Sequence, residues 1–230
     1  AHAEEGQFAF DRGGEQGVLP CVAILARRVG GRVRLLAVAR RVDVLAARES
    51  IAGRLHRTPM FSSATLSRKI GAPVHLKAEL FQRTGSFKPR GVLTKLASLS
   101  QPEKRHGVIG ISAGNHAQAL AYCAALEGAD ALLVMWQGAS PQKIEATRAY
   151  GAKVDLEAED PTGAFERLHE LIEQTGRALV HPFDDPMTIA GQGTVGLEAI
   201  EDVPDTAVLV VPVGGGGLVA GIALAAEGRR

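Results

Sequence analysis

Hydrophobic and polar positions alternate along this chain with a period that changes from segment to segment. From Val42 to Leu55 the apolar residues Val44, Leu45, Ile51 and Leu55 fall at helical spacing, and His56-Arg57-Thr58-Pro59 ends the run. Thr65 to Ile70 predicts a short helix stopped by Gly71, and Val74 to Lys77 a short strand. Phe87 to Leu99 predicts a helix behind a glycine–serine turn.

A regular alternation follows. Val108 to Ser112 predicts a strand, Asn115 to Leu126 a helix ended by Gly128, and Ala131 to Met135 a strand. Ser140-Pro141 predicts a helix start, with serine as cap and proline in the first turn, and Gly151 marks its end. Lys153 to Leu156 predicts a strand. Asp160-Pro161 opens the next helix, with Phe165, Leu168, Leu171 and Ile172 along one face and Gly176 as the stop. Ala178 to His181 predicts a fourth strand. Short apolar strands alternating with helices imply α/β architecture built from parallel βαβ units. Pro186 to Ile200 predicts a glycine-interrupted helix. Val208 to Val213 is the most apolar strand candidate; it runs into Gly214-Gly215-Gly216-Gly217 and a last helix, Leu218 to Glu227.

Composition narrows the function classes. Net charge is +1 and aromatic residues make up 4%, so neither a polyanion partner nor a base-stacking surface is implied, and no nucleic-acid partner is expected. The longest apolar run, Val18 to Ala26, is far short of a membrane span, so no membrane is expected. Cys21 and Cys123 form neither a disulfide framework nor a zinc site, and the histidines do not fall at metal-ligand spacing, so no metal is expected. Residues 1–40 are rich in glycine and arginine and are expected to be an N-terminal extension, with weak strand patterns at Val18 to Ala26 and Val33 to Ala39.

Three segments carry candidate chemistry. In Thr84-Gly85-Ser86-Phe87-Lys88-Pro89-Arg90-Gly91 a lysine stands where a turn enters a helix. Helix-start dipoles and the neighbouring Arg90 both disfavour a cation there and would favour a neutral, nucleophilic amine; a solvated surface lysine is the plain alternative. Gly214 to Gly217, between an apolar strand and a helix, can turn successive N–H groups into one concavity suited to a phosphate; a tight strand–helix turn is the alternative. Ser112-Ala113-Gly114-Asn115-His116 makes a second anion site, suited to a carboxylate. Gly110, Ser112 and Gly114 also match a G-x-S-x-G nucleophile elbow, with Asp155 or Asp160 and His169 or His181 in triad order, which is the α/β-hydrolase alternative.

Taken together, Lys77 to Gly91, Ser112 to Gln118, His181 to Thr194 and Pro212 to Leu218 resemble the threonine/serine dehydratases, fold-type II pyridoxal-phosphate enzymes that include serine racemase. Each motif alone is moderately specific, and all four in order are strongly so. The resemblance covers about Val42 to Glu227. It implies two open parallel-sheet domains with the cofactor cleft between them. Residues 107–184 would be the small domain, and 41–106 with 185–230 a large domain that is incomplete here, because the family's large domain continues past the glycine loop. The chain is therefore expected to be a fragment of a longer protein or a truncated gene product, and an inactive fragment without catalytic function is the alternative from another class.

The resemblance also implies roles. Lys88 would hold pyridoxal 5'-phosphate and move the substrate's α-proton. Phe87 would stack on the pyridine ring, Asn115 would bond its hydroxyl, and Gly214, Gly215, Gly216 and Gly217 would cradle the phosphate. Ser112, Ala113, Gly114, Asn115 and His116 would bind the substrate carboxylate. The reaction implied is loss of water and ammonia from threonine or serine, giving a 2-oxo acid. Ala113 stands where serine racemases resemble one another in carrying a serine, the second acid/base, so the resemblance favours a dehydratase over a racemase. It implies a small amino-acid substrate, association into a homo-oligomer and a place in amino-acid metabolism such as isoleucine biosynthesis, while the two unpaired cysteines fit a reducing, cytoplasmic setting.

Overall fold

The computed structural model describes residues 39–227. The N-terminal extension, its two weak strand patterns before Ala39, and Cys21 lie outside them. The centre of the fold is a four-stranded parallel sheet formed by β3 (Val108–Ile111), β4 (Ala131–Trp136), β5 (Lys153–Ala158) and β6 (Ala178–Leu179), in the order β5-β4-β3-β6. The helices between these strands are α5 (Asn115–Glu127), α6 (Pro141–Ala149) and α7 (Pro161–Thr175).

The period of two in each strand sorts side chains onto the two faces of the sheet. Val108, Leu133 and Met135 face one side and pack with Leu120, Cys123 and Ile144 of α5 and α6. Ile109, Ile111 and Val134 face the other and pack with Ala164, Leu168 and Leu171 of α7. Strands buried on both faces read as continuous apolar runs, and β3 is buried at every position. One expected contact fails: Phe165 is 47% exposed, and Ala164 takes the buried position beside Leu168. The helix ends follow the capping signals. Asp160 Oδ1 accepts from the Gly163 N–H at 2.8 Å, and Gly128 and Gly176 close their helices in the left-handed region. Ser140 precedes Pro141 as expected, but its side chain makes no cap bond.

The flanking segments form a helical layer with a small antiparallel ribbon. Their elements are α1 (Arg41–Ile51), β1 (Met60–Ser62), α2 (Ala64–Ile70), β2 (His75–Lys77), α3 (Lys88–Ser98), α4 (Gln101–His106), α8 (Pro186–Asp202) and α9 (Gly217–Ala226). β1 pairs with β2, Phe61 opposite Leu76. The 17-residue α8 is the hub, packed against α9, α3 and α1. Its glycines make this approach feasible: a methyl group at Gly193 would stand 2.6 Å from the Gly221 carbonyl and 2.8 Å from Val44. α4 has a Ser100–Glu103 capping box that periodicity alone did not reveal.

The strand expected at Val208 to Val213 does not form. The segment makes no ladder with another described strand, Val208 and Val210 are 45% and 65% exposed, and only Val211 is buried, against Val195 and Ile222. A run of β-branched residues favours a strand, but a strand needs a neighbour for its N–H and C=O groups. Among the described residues this half of the fold has no parallel sheet.

Candidate active site

Strand order places the site. From β3 the chain steps outward to β4 and then β5, and β6 returns to the other side of β3. The turns leaving β3 and β6 therefore lie side by side although they are far apart in sequence, and the crevice between them is where open α/β sheets take ligands. Ser112 to Gly114 leave β3 and enter α5. Val180 to Asp184 leave β6 and enter α8. His116 joins the two turns: it is 2% exposed, and its Nε2 donates to the Val180 carbonyl at 2.9 Å. Burial, reinforced by the charge of Lys88, lowers its pKa to about 3, so the ring is neutral.

Lys88 enters this crevice from α3. The chain before it is tightly constrained. Thr84 has φ 61°, alone among the described non-glycine residues in the left-handed region, and Gly85 follows at φ 69°. Phe87 caps the helix, Lys88 opens it and Pro89 follows in the first turn, where a missing N–H costs nothing. The Lys88 ammonium donates to the Pro182 carbonyl at 2.6 Å and lies 5.3 Å from the Phe87 ring centre. Burial lowers its pKa from 10.5 to about 8.

Arg90 does not tune that amine. It is fully buried and turned away, and its guanidinium is enclosed by two carboxylates. Nε and Nη2 donate to Glu79 at 2.9 and 2.8 Å, Nη1 and Nη2 to Glu198 at 2.6 and 2.9 Å, and Nη1 also to Thr194 Oγ1 at 3.1 Å. Desolvation opposes its charge, but these partners hold it above the ordinary arginine value, and the Glu198 carboxyl sits below the usual carboxylate range. Arg90 therefore ties α3 to α8 and to the Glu79–Phe81 turn.

A cavity of about 250 Å³ lies beside Lys88, lined by Phe87, Asn115, Phe183, Gln192 and the run Gly214 to Gly217. The four glycines lead into α9, with Gly216 as its cap at φ 87°. The first-turn N–H groups of a helix lack intrahelical partners, so this end can bind an anion. The α5 start offers a second such end. There the Gly114 N–H is taken by Ser112 Oγ at 3.1 Å and the Ala117 N–H by the Gly114 carbonyl, and Asn115 is exposed at the opening. Of the expected carboxylate loop, His116 commits its ring Nε2 to Val180, while its Nδ1 is buried without a hydrogen-bond partner among the described residues. An adjoining, mostly apolar cavity of about 280 Å³ lies between Phe87, Val195, Leu209, Leu218 and Ile222, with Lys77 and Glu79 also in its lining.

Sequence reasoning gave no role to several residues here. Both polar atoms of Gln192, Ser86 Oγ and Thr84 Oγ1 are buried without a hydrogen-bond partner among the described residues. Gln192 also lines the cavity, and its amide lies against Gly91, where an added side chain would stand 2.4 Å from Nε2. Its only sequence signal was membership of the segment His181 to Thr194. Lys143 Nζ lies 3.8 Å from where a Gly114 side chain would begin. Phe183 also went unread, because its importance rests on contacts with residues far along the chain.

The hydrolase alternative fails on geometry. Asp155 is bound by Arg167 at 3.0 Å, Asp160 caps α7, and His169 is exposed on α7. His181 Nδ1 accepts from the Asp184 N–H at 2.8 Å, which leaves it no role as a base toward Ser112 through that nitrogen. No group of side chains among the described residues could hold a metal ion, and no helix among them is long and apolar enough to cross a membrane.

Comparison with known proteins agrees with this geometry. A family described as "Pyridoxal-phosphate dependent enzyme" matches residues 51–230. The chain is 45% identical over 183 residues to the catabolic L-threonine dehydratase TdcB of Escherichia coli strain K12, covering 80% of this chain and 56% of that protein. It is 47% identical over 183 residues to the L-threonine ammonia-lyase of Thermotoga maritima, covering 80% of this chain and 46% of that protein. Among solved structures, the T.th. threonine deaminase superposes with TM-score 0.73 at 44% identity, covering 81% of this chain and 60% of that one. Maize serine racemase superposes with TM-score 0.77 at 34% identity, covering 83% and 58%. The chain thus spans about half the length of the curated relatives it matches.

Proposed function

Because this chain belongs to the pyridoxal-phosphate dependent enzyme family, with the α/β architecture of its fold-type II members, we propose that it carries the cofactor-holding half of a threonine ammonia-lyase. The substrate is a hydroxyamino acid, threonine and also serine, and the products are a 2-oxo acid and ammonia. The observation that carries this reading is the meeting, in one cavity, of a lysine whose burial brings its amine to about pH 8 with a four-glycine helix start.

The residues present fit pyridoxal phosphate. Lys88 supplies an amine that is readily neutral, the α9 start supplies unpartnered N–H groups, and no atom lies within 4 Å of a side chain built at Gly214. In our reading Lys88 holds the cofactor, Gly214 to Gly217 hold its phosphate, Phe87 backs the ring, and Asn115 and Gln192 offer hydrogen bonds to its polar edge. Ser112 to His116 hold the substrate carboxylate at the start of α5. When bound, pyridoxal phosphate supplies an electron sink for the α-carbon of an amino acid. Lys88 Nζ accepts and returns the α-proton. The Pro182 carbonyl is the acceptor that holds this amine when it is protonated. Ala113 brings no acid or base to the opposite face, which supports elimination over racemisation.

Residues 107–184 form the small domain in this proposal, and 41–106 with 185–230 belong to the large one. The same proposal includes a cytoplasmic, homo-oligomeric enzyme. The catabolic name of some relatives supports a degradative role as readily as isoleucine biosynthesis. The test is 2-oxo acid release from threonine and from serine by the chain loaded with pyridoxal phosphate. Release that disappears in Lys88→Ala supports the assignment. Conversion of L-serine to D-serine without 2-oxo acid would refute it in favour of a racemase.

A further inference from the structure

We propose that Phe183 is a positioning residue that seats the glycine loop, and that Gly215 and Gly217 are glycines because any side chain there would meet it. The proposal rests on reading that loop as the phosphate cradle. The four glycines differ in what surrounds them. A side chain built at Gly214 meets nothing within 4 Å, and Gly216 also faces open space, its residue type set by φ 87°. A side chain at Gly215 would overlap the Phe183 ring, and one at Gly217 would stand 2.7 Å from the Phe183 carbonyl. All four glycines line the cavity, but the space where a side chain would start is open at Gly214 and Gly216 and is filled at Gly215 and Gly217 by one residue from the turn after β6.

That turn is itself fixed. The Val180 N–H donates to the Ile109 carbonyl at 2.9 Å, which continues the pairing of β6 with β3. The Val180 carbonyl takes the His116 ring, and the Pro182 carbonyl takes Lys88. The Phe183 ring stands edge-on to His181 at 4.7 Å between centres. One four-residue turn therefore touches the first turn of α5, the lysine and the glycine loop in succession. The segment before the glycine loop makes no strand ladder, so contact with Phe183 sets where the loop lies relative to Lys88.

A double-mutant cycle in the full 230-residue chain tests this. Inorganic phosphate affinity is measured in the absence of cofactor, at a temperature where every variant is folded. Gly215→Ala is expected to weaken phosphate binding about tenfold, the size of coupling seen between residues in contact. Phe183→Ala weakens it as well, by releasing the loop. The double variant Gly215→Ala/Phe183→Ala is expected to bind no worse than Phe183→Ala alone, because the added methyl enters the vacated space. Strictly additive losses in the double variant would overturn the proposal, as would wild-type affinity in Gly215→Ala. If the unmutated chain takes up no phosphate, the cradle reading fails. The same cycle read as urea unfolding midpoints then decides the seat: non-additive shifts keep it and additive shifts remove it.

Discussion

Lys88 is a cation placed where a cation is disfavoured. The unfolded chain keeps its amine protonated up to about 10.5, whereas the folded chain releases the proton near 8. Between those values the unfolded state binds more protons, so this residue makes stability rise with pH across the window, and below it the buried charge costs stability. Lys88→Met is expected to unfold at higher urea concentration at pH 7 and to lose that slope between pH 8 and 10, as equilibrium denaturation at several pH values would show. His116 acts in the same sense at lower pH. Its unfolded imidazole takes a proton near 6.5 and the buried one near 3, so stability falls as pH drops through that interval. Arg90 is a different case. Removing one partner of a buried ion pair strands the rest, so Arg90→Met should cost roughly 3–5 kcal/mol in denaturant unfolding. Its place two residues after Lys88 suggested an electrostatic role, and only the positions of Glu79 and Glu198, far apart in sequence, reveal that its charge is already spent.

At the level of elements, the same substitution should have opposite signs in two helices. In α8, Gly193→Ala drives a methyl into Gly221 and Val44, and overpacking costs about 1–3 kcal/mol, more than the helix gains from losing a glycine. In α7 the nearest atom to a side chain at Gly163 is 3.7 Å away, so Gly163→Ala should stabilise by about 0.5–1 kcal/mol. Thermal unfolding of the two variants beside the parent checks both. Such differences were not legible beforehand, because a glycine in a helical pattern looks alike whether it faces solvent or another helix. The strands β3 to β5 and the capped helices α5 and α7 were legible, since periodicity and caps are local. Val208 to Val213 was misread because its apolar pattern is local, whereas a strand exists only by pairing.

Across the whole molecule, the strand order carries the site. Because β6 returns beside β3, turns that lie far apart in sequence converge, and Lys88 and the glycine loop close on them from α3 and α9. The motifs were readable as separate segments, and their order matched one family. Their joining through His116, Pro182 and Phe183 was not readable, because each link is a backbone carbonyl or a ring face that no residue pattern encodes. The central claim is that this convergence makes a cofactor site. The most direct measurement is a visible absorption titration of the 230-residue chain with pyridoxal phosphate, beside Lys88→Ala. A protein-bound cofactor band that saturates in the first and is missing in the second is the expected result. No band in the parent chain, or the same band in both, would contradict the account.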